Sequence, residues 1–206
     1  GYTVEDKDKQ IQLEIDNEYI MSPKDLKTID FLDKIIEAGV SVLKIEGRAR
    51  SAEYVKTVVE VYKDAVLSLE NQNFDTDKIE IWNEKLKSVF NRGFWGGYYL
   101  GKKMGEWAEV GGSQAAFTKE YVGKITNYFS KLKVMELTLE SGKIEIGDNI
   151  LIMGPTTGVI ELKIDEIRVE LKAVSEALKS QICSLAIEEL VRRNDKVYKL
   201  VANTNL

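Results

Sequence analysis

Val42-Leu43-Lys44-Ile45-Glu46-Gly47-Arg48 starts as an apolar run and turns within a few residues to charge, glycine and arginine. Val42, Leu43 and Ile45 suit a buried strand. Strand alternation puts Lys44 and Glu46 on one side, opposite Leu43 and Ile45. A charge is costly to bury unless it is paired. A neighbouring Lys and Glu neutralise each other and still offer polar atoms to a ligand. Gly47 permits a tight exit, and Arg48 can reach an anion. Lys44 and Glu46 are therefore candidate catalytic groups and Arg48 a candidate substrate-binding residue. A structural ion pair at a strand end is the alternative reading of the same pattern.

Working outward, residues 22–38 read as a capped helix. Ser22 is a good N-cap, Pro23 fits the first helical position, and Asp25 completes a capping box. Leu26, Ile29, Leu32 or Asp33, and Ile36 follow at spacings of three and four, and Gly39 suits the C′ position. Residues 40–45 are then a strand. Ser51 caps a second helix whose buried stripe is Val55, Val58, Val59, Tyr62, Val66 and Leu69. Upstream, Ile11, Leu13 and Ile15 alternate with Gln12 and Glu14 as a half-buried strand. Asp16-Asn17 is a turn, Tyr19-Ile20-Met21 a short second strand, and the charged residues 5–9 a solvated loop tip.

Strand, helix, strand and helix with short connections imply parallel strands. Two such units cannot cover both faces of a parallel sheet. Residues 1–72 thus read as the last βα units of a larger α/β barrel-like domain, with a missing N-terminal domain as the expected partner. In a barrel, Ser22-Pro23-Lys24 and Glu46-Gly47-Arg48 both fall at C-terminal strand ends, where active sites are built. Ser22 joins the candidate substrate-binding residues on that ground.

Residues 73–118 hold a helix opening at Thr76, with Ile79, Trp82, Leu86 and Val89 on one face, and then Asn91-Arg92-Gly93-Phe94-Trp95-Gly96-Gly97-Tyr98-Tyr99-Leu100-Gly101. This stretch has neither helix nor strand period. It reads as an irregular loop pinned by aromatic packing between domains. The alternative is a stacking platform for bases, with Arg92, Lys102 and Lys103 for phosphates, which makes Arg92 a candidate substrate-binding residue. Over 119–206 short strands take over, at 121–127, 133–139, 150–153, 159–168, 182–187 and 196–201. Turns fall at Ser141-Gly142, Gly147-Asp148, Gly154-Pro155 and Asn194-Asp195. This spacing predicts a small antiparallel β-barrel, with Cys183 an inert buried thiol in one strand.

Composition bounds the chemistry. The chain has 206 residues, 44% hydrophobic and 31% charged, as in ordinary globular proteins. No apolar run is long enough to span a bilayer, so no membrane partner is expected. The opening Gly1-Tyr2-Thr3-Val4 is not a signal peptide, and its lack of methionine reads as a fragment. A single cysteine excludes an internal disulfide and suits a reducing compartment such as the cytoplasm. With a net charge of −5, contact with nucleic acid would need a local basic patch. There is no histidine. That removes Ser-His-Asp and Cys-His catalysis and the H-E-x-x-H metalloprotease motif. One cysteine cannot build a Cys-rich metal site, so no metal ligands are expected from this chain.

Four stretches carry a resemblance: Tyr19-Ile20-Met21-Ser22-Pro23-Lys24-Asp25-Leu26; Ala38-Gly39 through Leu43-Lys44-Ile45-Glu46-Gly47-Arg48; Ser51-Ala52-Glu53-Tyr54-Val55; and Asn91-Arg92-Gly93-Phe94 with the glycines after it. Together they resemble the C-terminal part of the collagenase-like U32 peptidase family. The strand-rich end is similar to that family's C-terminal barrel, itself similar to the second domain of translational GTPases. The resemblance implies an N-terminal (β/α) barrel-like domain beyond this chain. It implies one of three roles: prephenate-dependent hydroxylation of the tRNA wobble uridine, a collagenase-like peptidase with its catalytic part in the missing domain, or a non-catalytic interaction module. The implied partners are tRNA and a small dicarboxylate such as prephenate, held by the Arg48 fork with Lys44 and Glu46 lining the same pocket. Members of the wider family hold an iron–sulfur cluster through cysteines, one of which commonly follows the Asp-Leu pair. Here Lys27 takes that place, which implies no cofactor held by this chain.

Overall fold

Backbone hydrogen bonds to distant residues, rather than local capping, decide the structure around residue 25. The computed structural model describes residues 2–5, 12–15, 22–102, 105–108 and 111–203. The chain divides into two units, residues 1–48 with 57–115, and residues 49–56 with 116–206. In the first unit β1 (Tyr2–Glu5) pairs antiparallel with β2 (Gln12–Ile15). β2 carries most of the predicted alternating run, and its partner precedes it. Of the predicted loop tip at 5–9, Glu5 instead ends β1, paired with Gln12; residues 6–9, the turn at Asp16-Asn17 and the strand at 19–21 lie outside the described residues.

Residues 22–28 are not helical, which corrects the predicted helix start. Lys24 N–H donates to the Glu106 carbonyl, Asp25 N–H to Gly93, Lys27 N–H to Trp95, and Ala108 N–H to Ser22. These bonds make β3 (Asp25–Leu26), paired in parallel with β4 (Phe94–Trp95). The Asp25 carboxylate accepts the Arg92 N–H at 3.0 Å. One capping bond cannot outweigh several distant backbone partners, because buried backbone groups must be paired. Helix begins with a 3₁₀ turn at Ile29–Phe31 and continues as α1 (Leu32–Glu37). Gly39 ends it as predicted, at φ +88 with its N–H on the Ile36 carbonyl.

Residues 40–47 form no strand, a second correction. The alternation survives: Leu43 and Ile45 are half-buried, while Val42, at 81% exposure, and Lys44, Glu46 and Arg48 face solvent. What is lacking is a neighbour to share N–H and C=O groups; no described residue bonds to this backbone. Among the described residues the first unit therefore holds one two-residue parallel pair, not the predicted series of βα units.

α2 (Ala52–Glu70) buries Val58, Val61, Ala65 and Ser68, a stripe rotated from the predicted one; Val55 and Val59 are exposed. Polar partners fix the rotation. The Tyr62 hydroxyl accepts the Thr28 N–H at 3.0 Å. Asp64 accepts the Trp82 indole N–H at 2.8 Å, and the buried Ser68 hydroxyl accepts from Lys78 at 3.0 Å. α3 (Thr76–Ser88) is capped by Asp75, whose carboxylate accepts the Lys78 N–H at 2.9 Å. Trp82, Leu86 and Val89 are buried as predicted.

The second unit is built from β5 (Phe117–Phe129), β6 (Val134–Leu139), β7 (Lys143–Glu145), β8 (Asn149–Gly154), β9 (Gly158–Lys163), β10 (Ile167–Val169), β11 (Lys172–Val174), β12 (Glu176–Leu178), β13 (Ile182–Ala186) and β14 (Lys196–Ala202). Eight of these form an antiparallel sheet in the order β11-β10-β13-β6-β5-β14-β8-β9, and β7 pairs with β12. Every strand predicted beyond residue 119 is present, with the 159–168 run split between β9 and β10. The core comprises Ile125, Leu137, Ile144, Ile152, Ile167 and Val197 among others; each such aliphatic contributes about 1.5–3 kcal/mol on burial. Cys183 sits among them, and burial pushes its thiol up to about 12. The buried Asp195 is fully engaged. Its carboxylate accepts from the Thr157 hydroxyl at 2.5 Å and the Arg192 N–H at 2.8 Å, and its carbonyl takes the Ile125 N–H.

β5 passes so close to β6 at Gly123 that a Cβ there would lie 2.0 Å from the Thr138 carbonyl oxygen. That oxygen is backbone and has no rotamer to retreat into. Gly123→Ala should therefore cost about 3 kcal/mol, read as a lowered urea midpoint by circular dichroism. An unchanged midpoint would mean that the two strands are not packed this closely.

Candidate functional site

All five predicted site residues belong to the first unit, and they fall into two groups. Lys44, Glu46 and Arg48 share the exposed side of the extended stretch. The Glu46 carboxylate accepts the Arg48 N–H at 2.7 Å. It thereby closes a turn in which Ala49 takes φ +57, instead of pairing with Lys44. That leaves an ammonium, a carboxylate and a guanidinium on one solvent-facing edge. Guanidinium and ammonium groups are of the kind that pair with anions.

Ser22 and Arg92 are brought to the paired β3 and β4. The Ser22 carbonyl takes the Ala108 N–H, and the Arg92 N–H is held by Asp25. Buried Asn91 fixes the approach to this pair. Its amide donates to the Val89 carbonyl at 2.9 Å and its oxygen accepts the Gly93 N–H at 3.1 Å. Beside them Lys24 lies 3.5 Å from the Glu106 carboxylate, which Lys102 also engages. The hydrogen bond from Lys102, with help from Lys24, holds the Glu106 carboxyl below the usual glutamate range. Lys24 and Glu106 are the members that sequence reasoning missed as a pair, because nothing local marks two residues so far apart in the chain as neighbours.

The aromatic loop is pinned on one side. Tyr98 meets the Trp95 ring edge-on at 5.1 Å, and Tyr99 lies 6.1 Å from Phe31. Both tyrosines remain exposed, at 60% and 63%. Both of these ring contacts lie within the first unit.

Lys27 is enclosed by partners. Its ammonium lies 2.8 Å from Asp30, 2.5 Å from the Asn83 amide oxygen, and 5.5 Å from the Phe94 ring centre. The Asn83 amide in turn donates to Asp30 at 2.8 Å. Desolvation pushes the Asp30 carboxyl up, but the bonds from Asn83 and Lys27 outweigh it and hold the group below its ordinary value. An iron–sulfur cluster needs several thiolates. This chain has one cysteine, and its thiol is buried in β13. The residues of this chain therefore do not fit such a cluster. Among the described residues, no three His, Cys, Asp or Glu side chains are grouped to hold a metal ion, and no helix is long and apolar enough to cross a membrane.

Residues 1–109 match the family described as Peptidase family U32, and the chain belongs to that family. It is 55% identical over 199 residues to a collagenase of Porphyromonas gingivalis, covering 97% of this chain and 48% of the relative. It is also 34% identical over 192 residues to a tRNA hydroxylation protein of Bacillus subtilis, covering 90% of this chain and 44% of that one. The chain spans about half the length of the curated relatives it matches. Among solved structures, the C-terminal domain of a Geobacillus thermoleovorans U32 peptidase aligns with 39% of this chain and 91% of that one, at 17% identity and a TM-score of 0.37.

The Lys27 cluster gives a pH signature. Asp30 is lowered from 3.8, so it stabilises the fold above the unfolded carboxylate value, and this contribution is lost as pH falls through the folded value. Lys27→Met should cost about 1 kcal/mol at neutral pH. It should also flatten the loss of thermal stability as pH falls below about 4. Parallel melting curves for wild type and variant across that range would show that the cluster contributes nothing.

Proposed function

We propose that this chain is the C-terminal half of a longer U32 protein that acts in RNA modification, hydroxylating the wobble uridine of tRNA with prephenate as a co-substrate in the cytoplasm. The similarity to a tRNA hydroxylation protein across 90% of this chain carries the reading. The site chemistry is consistent with it. A guanidinium fork suits a carboxylate, and Arg48 meets Glu46 through its backbone N–H with its side chain exposed. Lys44 and Glu46 stand beside it as proton-transfer groups, and Ser22 and Arg92 serve as further substrate contacts. In this reading residues 40–47 gain their strand partner from an N-terminal (β/α) barrel-like domain. The second unit closes into a small β-barrel like the second domain of translational GTPases, with its core as the barrel interior.

A second reading is favoured by the 55% identity to a collagenase: a peptidase whose catalytic groups lie in the other half of the protein. This chain supplies no histidine and no accessible thiol for such chemistry. The two readings separate in one experiment. In a strain lacking the full-length gene, mass spectrometry of tRNA nucleosides should show loss of wobble-uridine hydroxylation. Wild type should restore it, and Arg48→Ala should restore at most about a tenth, the tenfold loss that follows from removing a charged hydrogen bond of about 1.4 kcal/mol. Unchanged modification in the deletion strain, together with gelatin cleavage by the purified full-length protein, would transfer the assignment to the peptidase reading.

A further inference from the structure

Not every large apolar side chain of the first unit is used by its own core. Leu26 and Leu100 are 54% and 60% exposed and join the exposed Tyr98 and Tyr99. A Cβ built on Gly97 would meet Leu26 Cδ1 at 2.8 Å and Tyr99 Cδ2 at 3.2 Å, so both side chains lie over the same glycine. Tyr98 rests edge-on against Trp95, and its hydroxyl and the Trp107 ring both approach Gly105. Gly97 and Gly101 take positive φ, +66 and +84, and the tight turn this allows displays three large residues in succession.

The backbone beside this patch is open as well. The Asp25 and Lys27 N–H groups bond to Gly93 and Trp95. Strand alternation turns the Leu26 N–H and carbonyl to the other edge of β3. Among the described residues no backbone group meets them. An open strand edge next to a cluster of large apolar side chains is a surface that proteins cover.

Two observations select what covers it. The loop from Gly93 to Gly101 carries no charged side chain, and Lys24 and Lys102 both engage Glu106. Such a surface suits an apolar protein face rather than a polyanion. The match to the collagenase relative fills 97% of this chain and 48% of that protein, so the longer protein proposed above has a second body of chain of comparable size. That body is covalently tethered, and the high effective concentration of a tethered segment favours it over a free partner.

We infer that Leu26, Tyr98, Tyr99 and Leu100 seat the other half of the same polypeptide, which lends a backbone partner to the outer edge of β3 and buries both tyrosine rings. The assignment rests on the reading that this chain is half of a longer protein, and it names a contact surface beyond residues 40–47.

The test is photo-crosslinking in the full-length protein carrying Tyr99→p-benzoylphenylalanine, with the adducts mapped by mass spectrometry. Position 99 should join to peptides outside residues 1–206, in a species of monomer mass whose yield does not change with protein concentration. A dimer-mass adduct that grows with concentration would give the surface to a second copy. An adduct with added tRNA would give it to nucleic acid, and one with residues 116–206 to the second unit; a probe that forms no adduct would show an open surface. Each of these outcomes overturns the assignment. Leu100→Asp gives an independent measurement, because a charge placed in a covered apolar seat is costly. It should lower the thermal midpoint of the full-length protein by about 3 °C, and an unchanged midpoint would count against a covered seat. The RNA role is read separately by the nucleoside assay above. Crosslinks to the other half with unchanged tRNA modification in the deletion strain would keep this surface and remove that role. A native protein with the intact mass of this chain alone would remove both.

Discussion

The parallel pairing of Asp25–Leu26 with Phe94–Trp95 is the constraint on which the first unit depends. It consumes the backbone donors of Asp25 and Lys27, and flanking bonds consume those of Lys24 and Ala108. Three consequences follow. The helix cannot begin at Ser22 and waits until residue 29. Lys24 is delivered to Glu106 and Lys27 to Asn83. The glycine-aromatic stretch becomes ordered where it forms β4, so that Tyr98 and Tyr99 stand on Trp95 and Phe31. Two residues of strand do little by themselves. Their effect comes from joining segments distant in sequence, which turns a local capping signal into a tertiary contact.

How much was legible in the sequence follows from the range of the interactions. In the second unit alternation and turn residues are local signals, and the strands fall where they predict. The omissions, β7, β11 and β12, are three residues each, too short for a period of two to register. In the first unit the Ser22 capping box has the right residues at the right spacing and still fails, because distant carbonyls compete for the same backbone groups. The 40–45 strand is a different case. Its alternating burial is present, and only the hydrogen-bonded neighbour is absent among the described residues. The common side shared by Lys44, Glu46 and Arg48 was legible for that reason. The Glu46 bond to the Arg48 N–H was not, since an ion pair with Lys44 satisfies the same pattern.

A relative with a collagenase name and one with a tRNA hydroxylation name both match nearly the whole of this chain. A shared scaffold cannot decide between chemistries, because function belongs to sites rather than folds. The side chains of this chain narrow the choice by their type. It offers carboxylates, amines, guanidinium groups and tyrosines, and its only thiol is buried. Amines and guanidinium groups can hold an anion and carboxylates can move a proton, whereas histidine chemistry lies outside this inventory.

The second unit sharpens this point. Its core polar group is satisfied: Asp195 has a hydroxyl and two backbone partners. Its other exposed lysines often sit with carboxylates, as Lys143 does with Glu145 and Glu176. Lys124, which Lys196 faces across β5 and β14, follows the same rule and sits with Glu140 at 2.8 Å. Exposed ion pairs of this kind contribute little each, so the sheet is stabilised mainly by the aliphatic core on its other face.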